Sequence, residues 1–312
     1  MGGAATVRNV IEARALMKDY GDKRAVDGLT FTVKPGHVTG FLGPNGSGKS
    51  TTMRLILGLD RATSGDVTVN GKHYRDHKAP FHEVGALLEA RSVHTGRSAY
   101  YHLLALAQTH GIGRKRVAEL IDLVGLHDVA RKRAGQFSLG MGQRLGIATA
   151  LLGDPQTLLL DEPVNGLDPE GIHWIRNLLR SLAAEGRAVF VSSHLMSEMA
   201  QTADHLIVIG RGKLIADTSV EEFVRRASGA VVRVRSPQAE QLRHLIAGPA
   251  ITVTSQEPGV LEVAGLTSDK VGEVAAANGI VLHELTLLQA SLEEAFMELT
   301  RDDVEFKAAT AA

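Results

Sequence analysis

The chain has 312 residues, of which 44% are hydrophobic and 22% charged, and this length allows two globular domains. Its 34 basic and 35 acidic residues give a formal net charge of -1, which argues against a nucleic-acid-binding protein that works by bulk charge. It has no cysteine, so disulfides and thiolate metal sites are excluded. We see no signal peptide and no apolar run of membrane-spanning length, and we expect a cytosolic chain unless another subunit holds it at a membrane.

The first informative elements are a predicted buried strand at 37–42, a glycine-rich loop at 43–51 and a helix at 51–58. The loop fits the phosphate-binding pattern G-x-x-x-x-G-K-[ST]. Its backbone N–H groups would point at phosphate oxygens, Lys49 would contact the β- and γ-phosphates, and the Ser50 hydroxyl would bind Mg²⁺. The alternative is a glycine-rich turn with a chance lysine. The predicted nucleotide-binding residues are Gly43, Asn45, Gly46, Ser47, Gly48, Lys49, Ser50 and Thr51.

Two helical segments follow. Residues 98–121 have helical periodicity with a break at 111–113. Further on, Ser138 and Gly140 stand at the start of another predicted helix. A serine hydroxyl and a glycine N–H at a helix N-terminus can bind a γ-phosphate. The alternative is a serine that only caps an amphipathic helix.

An apolar run at 157–160 ends in the carboxylates Asp161 and Glu162. Such a run predicts a central parallel strand that is buried on both faces. Open α/β sheets bind ligands at the C-terminal ends of their strands. We therefore predict that Asp161 binds Mg²⁺ through water, and that Glu162 orients and deprotonates an attacking water. The alternative is a strand that leads into an acidic, proline-stopped turn.

Residues 137–148 resemble the signature sequence of ATP-binding cassette (ABC) ATPases, usually Leu-Ser-Gly-Gly-Gln followed by a helix that contains Gln-Arg. Together with the two motifs on either side, they make residues 10–225 similar to this family. The resemblance implies a phosphate-loop α/β core with a helical subdomain. It also implies a homodimer in which Ser138 and Gly140 contact the nucleotide of the opposite subunit. The signature positions that match are Ser138, Gly140, Gln143 and Arg144, and those that depart are Leu139 and Met141.

Four further site residues follow from this resemblance. Tyr20 stands where the family stacks an aromatic ring on adenine, although a core tyrosine is the alternative. Glu89 takes the place of a glutamine in the loop to the helical subdomain, where a carboxylate can still bind Mg²⁺. Asp168 belongs to a segment that resembles the loop that communicates across the dimer. His194 matches the switch histidine at the end of a strand, where a neutral imidazole can contact the γ-phosphate and the attacking water.

The sequence changes character after Ser228. We predict an ABC ATPase domain at 1–228 and an accessory α+β domain at 229–312. The predicted order of strand, helix, strand, strand, helix and strand would make a small ferredoxin-like unit. Its strands are predicted at 230–234, 251–254, 261–263 and 281–288, and its helices at 237–246, 268–278 and 291–299, the last with Ser291 as N-cap and Glu294 at N3.

Residues 85–90 resemble the ATPase subunits of antibiotic-resistance exporters, such as those for bacitracin, lantibiotics and daunorubicin. This implies an enzyme that uses ATP and Mg²⁺ to power transmembrane permease subunits on a separate chain, at the cytoplasmic face of the cell membrane. We expect export of a drug, peptide or lipid, and no nucleic-acid partner. The alternative is an ABC ATPase that acts in sensing or immunity signalling, or on ribosomes or nucleic acid. The short spacing between Lys49 and Ser138 leaves no room for the coiled coil of repair-type members.

Overall fold

The structure is a computed structural model that describes residues 10–89, 93–227, 231–255, 257–288 and 292–299. The described residues form two compact units, one up to Ser219 and one from Val220 onward. None of the helices in these described ranges is long and apolar enough to cross a membrane.

The first unit contains two sheets. Its strands are β1 (Ile11–Tyr20), β2 (Lys23–Val33), β3 (Val38–Leu42), β4 (Ser64–Val69), β5 (Val84–Leu87), β6 (Thr157–Asp161), β7 (Ala188–Ser193), β8 (His205–Gly210) and β9 (Lys213–Ser219). The smaller sheet is antiparallel and has the order β2-β1-β4. The larger sheet has the order β5-β6-β7-β3-β8-β9, in which only β9 is antiparallel to its neighbour. The C-terminal ends of β3, β6 and β7 therefore lie side by side at one edge.

The helices of this unit connect the strands. They are α1 (Lys49–Ile56), α2 (Pro80–Glu83), α3 (Ala99–Thr109), α4 (Arg114–Leu123), α5 (Leu139–Leu151), α6 (Pro169–Ala184) and α7 (Met196–Thr202). The predicted helical stretch at 98–121 is α3 and α4, separated as expected at Gly111, whose φ of 71° suits glycine. The predicted strands before the phosphate loop and before Glu162 are β3 and β6.

Three phenylalanines join the two sheets of the first unit. Phe31 comes from the smaller sheet, whereas Phe41 and Phe190 come from the neighbouring strands β3 and β7 of the larger one. Their ring centroids lie 5.0 to 5.9 Å apart and all three rings are buried. This aromatic cluster fixes the strands that lead into the phosphate loop and toward His194.

The second unit begins with α8 (Val220–Ala227) and contains a four-stranded antiparallel sheet. Its sheet order is β11-β12-β10-β13, with α9 and α10 as the two crossovers, so the predicted ferredoxin-like arrangement is confirmed. The elements after α8 are β10 (Val231–Arg235), α9 (Ala239–Ile246), β11 (Thr252–Thr254), β12 (Val260–Ala264), α10 (Ser268–Ala277), β13 (Glu284–Leu288) and α11 (Leu292–Leu299).

The start of β13 is later than the sequence predicts. The paired ladder begins at Glu284, because Val281 is held instead by the loop that follows β10: the Ser236 hydroxyl donates to the Val281 carbonyl, and the Val281 N–H donates to Gln238. The His283 N–H then donates to the Arg235 carbonyl at the end of β10. The predicted N-cap Ser291 lies outside the described residues.

Candidate active site

The loop between β3 and α1 turns back sharply at two glycines. Gly46 and Gly48 have φ values of 80° and 104°, which favour glycine. A Cβ at Gly48 would lie 2.4 Å from the Ala25 carbonyl oxygen, so a side chain cannot fit there. Among the residues that the structure describes, no side chain caps α1, which begins at Lys49, and its first N–H groups therefore suit an anionic ligand.

Lys49 and Ser47 are buried polar residues of this loop. The Lys49 ammonium donates to the carbonyls of Gly43 at 2.6 Å and Pro44 at 3.2 Å, and the residue is only 7% exposed. Burial lowers the pKa of Lys49, and nearby carboxylates oppose this shift. The buried Ser47 hydroxyl has no hydrogen-bond partner within the described residues. An orphaned hydroxyl beside a buried cation and free helix N–H groups fits a phosphate.

Asp161 lies between two hydroxyl groups. Ser50 donates to one Asp161 oxygen at 2.7 Å, and the Ser192 hydroxyl donates to the other. Hard oxygen atoms gathered in this way fit Mg²⁺, which is commonly held by one or two protein groups together with water and phosphate. Sequence reasoning missed Ser192. Its signal was a pair of serines, Ser192 and Ser193, that end the otherwise apolar strand β7 and are both fully buried.

Glu162 occupies an unusual backbone conformation. Its φ is 51°, in the left-handed region that costs a non-glycine residue about 1–2 kcal/mol. Several contacts hold it there: its N–H donates to the Ser192 hydroxyl at 3.0 Å, and its carbonyl accepts from Gln143 Nε2 at 2.9 Å. Its carboxylate lies 2.7 Å from His194 Nδ1. Such strain persists where the surroundings fix the residue, and it is common at functional sites.

A cavity of about 440 Å³ lies in front of the phosphate loop. Tyr20 lines it and is 47% exposed, so the alternative of a core tyrosine is wrong. The Tyr20 hydroxyl donates to Asp60 at 2.7 Å, and Arg54 donates to the same carboxylate at 2.8 Å. The ring is thus fixed at the mouth of the cavity. The structure brings Tyr20 together with Asn45, Gly46, Ser47, Gly48, Lys49, Ser50, Thr51, Asp161 and Glu162.

Glu89 is not brought together with these residues. It lines a neighbouring cavity with Arg54, Tyr74 and His102, and among the described residues only Leu88 lines both cavities. The Mg²⁺-binding role of Glu89 therefore stays a prediction from the motif position.

Ser138 and Asp168 cap helices in this chain. The Ser138 hydroxyl accepts from the Met141 N–H at 3.2 Å at the start of α5, and Asp168 accepts from the Gly171 N–H at 2.8 Å at the start of α6. A Cβ at Gly140 would lie 2.6 Å from the Gly166 carbonyl oxygen, so these two helix starts approach each other closely. Neither Ser138 nor Asp168 lines the cavity of its own chain.

Arg144 connects three helices. Its guanidinium lies over the Trp174 ring of α6, 4.6 Å from the centroid, and donates to the Val124 carbonyl just after α4. Trp174 in turn donates to the Leu123 carbonyl at 3.2 Å.

The strand, loop and helix, with the facing carboxylates, define a phosphate-loop nucleoside triphosphatase. A family model described as ABC transporter matches residues 26–165, and a model for a domain of unknown function matches residues 230–293. The bacitracin transport ATP-binding protein of Bacillus licheniformis is 36% identical over 93% of this chain and 97% of its own length. The lantibiotic transport ATP-binding protein of Streptococcus pyogenes is 35% identical over 67% of this chain and 90% of its own length.

A solved dimeric structure of a bacterial ABC transporter cassette matches with a TM-score of 0.63 and 26% identity, covering 67% of this chain and 98% of that one. The chain belongs to the family of ABC transporter ATP-binding proteins. It binds and hydrolyses ATP, and the predicted fold class and enzyme class are confirmed.

Proposed function

We propose that this chain is the ATPase subunit of an exporter whose membrane-spanning permease is a separate chain, and that the cargo is a drug, peptide or lipid. The observation that carries this proposal is the match to the bacitracin transport protein, which extends over 93% of this chain. The subunit would work at the cytoplasmic face of the cell membrane, held there by the permease, without a nucleic-acid partner. We also propose a division into the ATPase domain at 1–228 and an accessory domain at 229–312. The boundary between the two compact units lies slightly earlier, before α8, so this helix stands at the junction of the proposed domains.

The geometry of the site supports a separate role for each of its residues. Lys49 and the loop N–H groups would bind the β- and γ-phosphates, and Tyr20 would stack on the base. Ser50 and Asp161 would hold Mg²⁺, which neutralises charge on the phosphates when bound. Glu162 would accept the proton of the attacking water. Because an ionised carboxylate only accepts hydrogen bonds, the contact with Glu162 puts a proton on His194 Nδ1 and leaves Nε2 of a neutral ring to accept from that water.

Two copies would close head-to-tail around two ATP molecules, as the dimeric cassette of the family supports. Ser138 and Gly140 of one copy, with Asp168 near by, would then face the nucleotide of the other. Ser138 is exposed, and its oxygen accepts from a backbone N–H, so its own hydroxyl proton is available to a phosphate oxygen. Catalysis would then depend on positioning and charge stabilisation from both copies.

A mixing experiment tests the composite site. We expect Ser138→Arg to bind ATP normally but to lose hydrolysis, because the γ-phosphate of the partner's nucleotide then loses its hydroxyl donor from the opposite subunit. Lys49→Ala should also be inactive. An equal mixture should recover some activity, since a mixed dimer has one composite site spoiled by both changes and one site with neither. ATPase assays of each variant and of the mixture measure this.

Ser64→Arg is the matched control, because Ser64 is exposed on β4 and does not line the cavity. It should hydrolyse ATP like the wild type. Normal hydrolysis by Ser138→Arg alone would show that Ser138 is only a helix cap.

Export is tested in cells. A tagged chain should co-purify with a membrane protein from its source. Co-expression of this chain and that membrane protein in a sensitive bacterium should raise the concentration of bacitracin or a lantibiotic needed to inhibit growth several-fold. The same pair with Glu162→Gln should give no protection, because hydrolysis drives the transport cycle. Unchanged sensitivity in the presence of an active complex would exclude these cargoes, and co-purification with ribosomes instead would favour the alternative function.

A further inference from the structure

Gln143 is a buried polar residue of the signature helix α5 to which no contact with nucleotide, metal or attacking water has been assigned so far. It is only 2% exposed. Its Nε2 donates to the backbone carbonyl of Glu162 at 2.9 Å. The contact thus joins α5, whose N-cap is Ser138, directly to the residue proposed as the general base.

The backbone of Glu162 needs such support. At a φ of 51° it does not occupy the conformation that a glutamate prefers. Its N–H is held by Ser192, and its carbonyl accepts from Gln143 and from the Asn165 N–H at 3.2 Å. Asn165 belongs to the same loop as Glu162, whereas Gln143 comes from helix α5, which is distant in sequence. Rotation of the Glu162 peptide would move the carboxylate away from His194, and a misplacement of about 1 Å can cost 10²-fold in rate.

We infer that Gln143 is a positioning residue that fixes the Glu162 carboxylate through its backbone. This inference rests on the proposed function, in which Glu162 is the base and Ser138 faces the nucleotide of the second copy. One helix then carries the contact to the partner's nucleotide at its start and the support of its own base in its second turn. When the dimer closes around the partner's nucleotide, a displacement of α5 would therefore move Glu162 of the same chain, which acts on the other nucleotide.

A buried amide could also serve only to stabilise the fold, and the test separates these roles. Gln143→Met keeps the length and nearly the volume of the side chain but removes the amide donor. We expect kcat to fall about 10- to 100-fold, because a misplacement of the carboxylate by about 1 Å can cost 10²-fold in rate. The affinity for MgATP and the thermal midpoint should stay close to those of the wild type.

A double-mutant cycle gives the decisive readout. In a Glu162→Ala background, Gln143→Met should cause no further loss of residual hydrolysis in single-turnover assays, because the group through which it acts is absent. Leu145→Met is the matched control: it lies on the same helix, is fully buried and should change neither background.

Wild-type kcat in Gln143→Met would overturn the inference. So would an equal fall in both backgrounds, or a fall in kcat accompanied by weaker ATP binding, since either would assign Gln143 a general structural role. Normal turnover by Glu162→Ala would instead overturn the proposed base, so the two failures are distinguishable.

Discussion

Replacing Lys49 by alanine should abolish tight MgATP binding. The ammonium is buried at the base of the cavity, where it already donates to the Gly43 and Pro44 carbonyls. In a site so shielded from water, contacts of this charge with phosphate oxygens are worth about 1.5–3 kcal/mol each. Loss of two such contacts should weaken binding by about 100-fold or more, which calorimetry measures.

Lys72→Ala, at an exposed turn, serves as the control and should bind ATP like the wild type. If Lys49→Ala binds MgATP within about a factor of two of the wild type, the assignment of the phosphate loop is wrong.

Replacing Glu162 by glutamine should leave ATP binding intact and remove most hydrolysis, about 10²- to 10⁴-fold. The amide oxygen can still accept from His194, so the geometry is kept, but the group no longer takes a proton from water. Because ATP persists, the variant should accumulate as a dimer. Size-exclusion chromatography with and without MgATP detects it.

Glu170→Gln is a suitable control, since Glu170 is exposed in the first turn of α6. It should turn over ATP normally and elute like the wild type. A Glu162→Gln variant that stays monomeric with MgATP and retains near-normal turnover would rule out both the base and the nucleotide-dependent dimer.

Local pattern was enough to predict much of this structure. The phosphate loop, the strand before Glu162 and the ferredoxin-like order of the second unit were each readable from short segments, because turn residues and apolar runs fix them locally. The sheet formed by β1, β2 and β4 was not predicted. Its β1–β4 pairing joins segments far apart in sequence, which periodicity does not reveal. The β1–β2 hairpin closes locally at Gly21 and Asp22, and its turn signal was missed.

The supporting residues of the site were also missed, for a related reason. Ser192 and Gln143 are common polar residues whose roles come from tertiary contacts with Asp161 and Glu162. Glu89, in contrast, was predicted as a metal ligand from its motif position but lines the neighbouring cavity. Which of the two cavities it lines depends on the path of the chain after β5, which the motif does not determine. Ser138 acts as a cap within one chain, and its proposed phosphate contact needs a second copy.

Trp174, stacked on Arg144, is an intrinsic fluorescent probe of this protein. Trp174 is the only tryptophan of the chain, so all indole fluorescence comes from the point where α4, α5 and α6 meet. A cation over the ring and a hydrogen bond from the indole N–H both influence its emission. Since the chain also contains no cysteine, an introduced thiol would carry a single dye at a chosen position. Energy transfer from Trp174 to a dye placed on α3 or α4 can then follow the position of these helices without any change to the native sequence around the nucleotide.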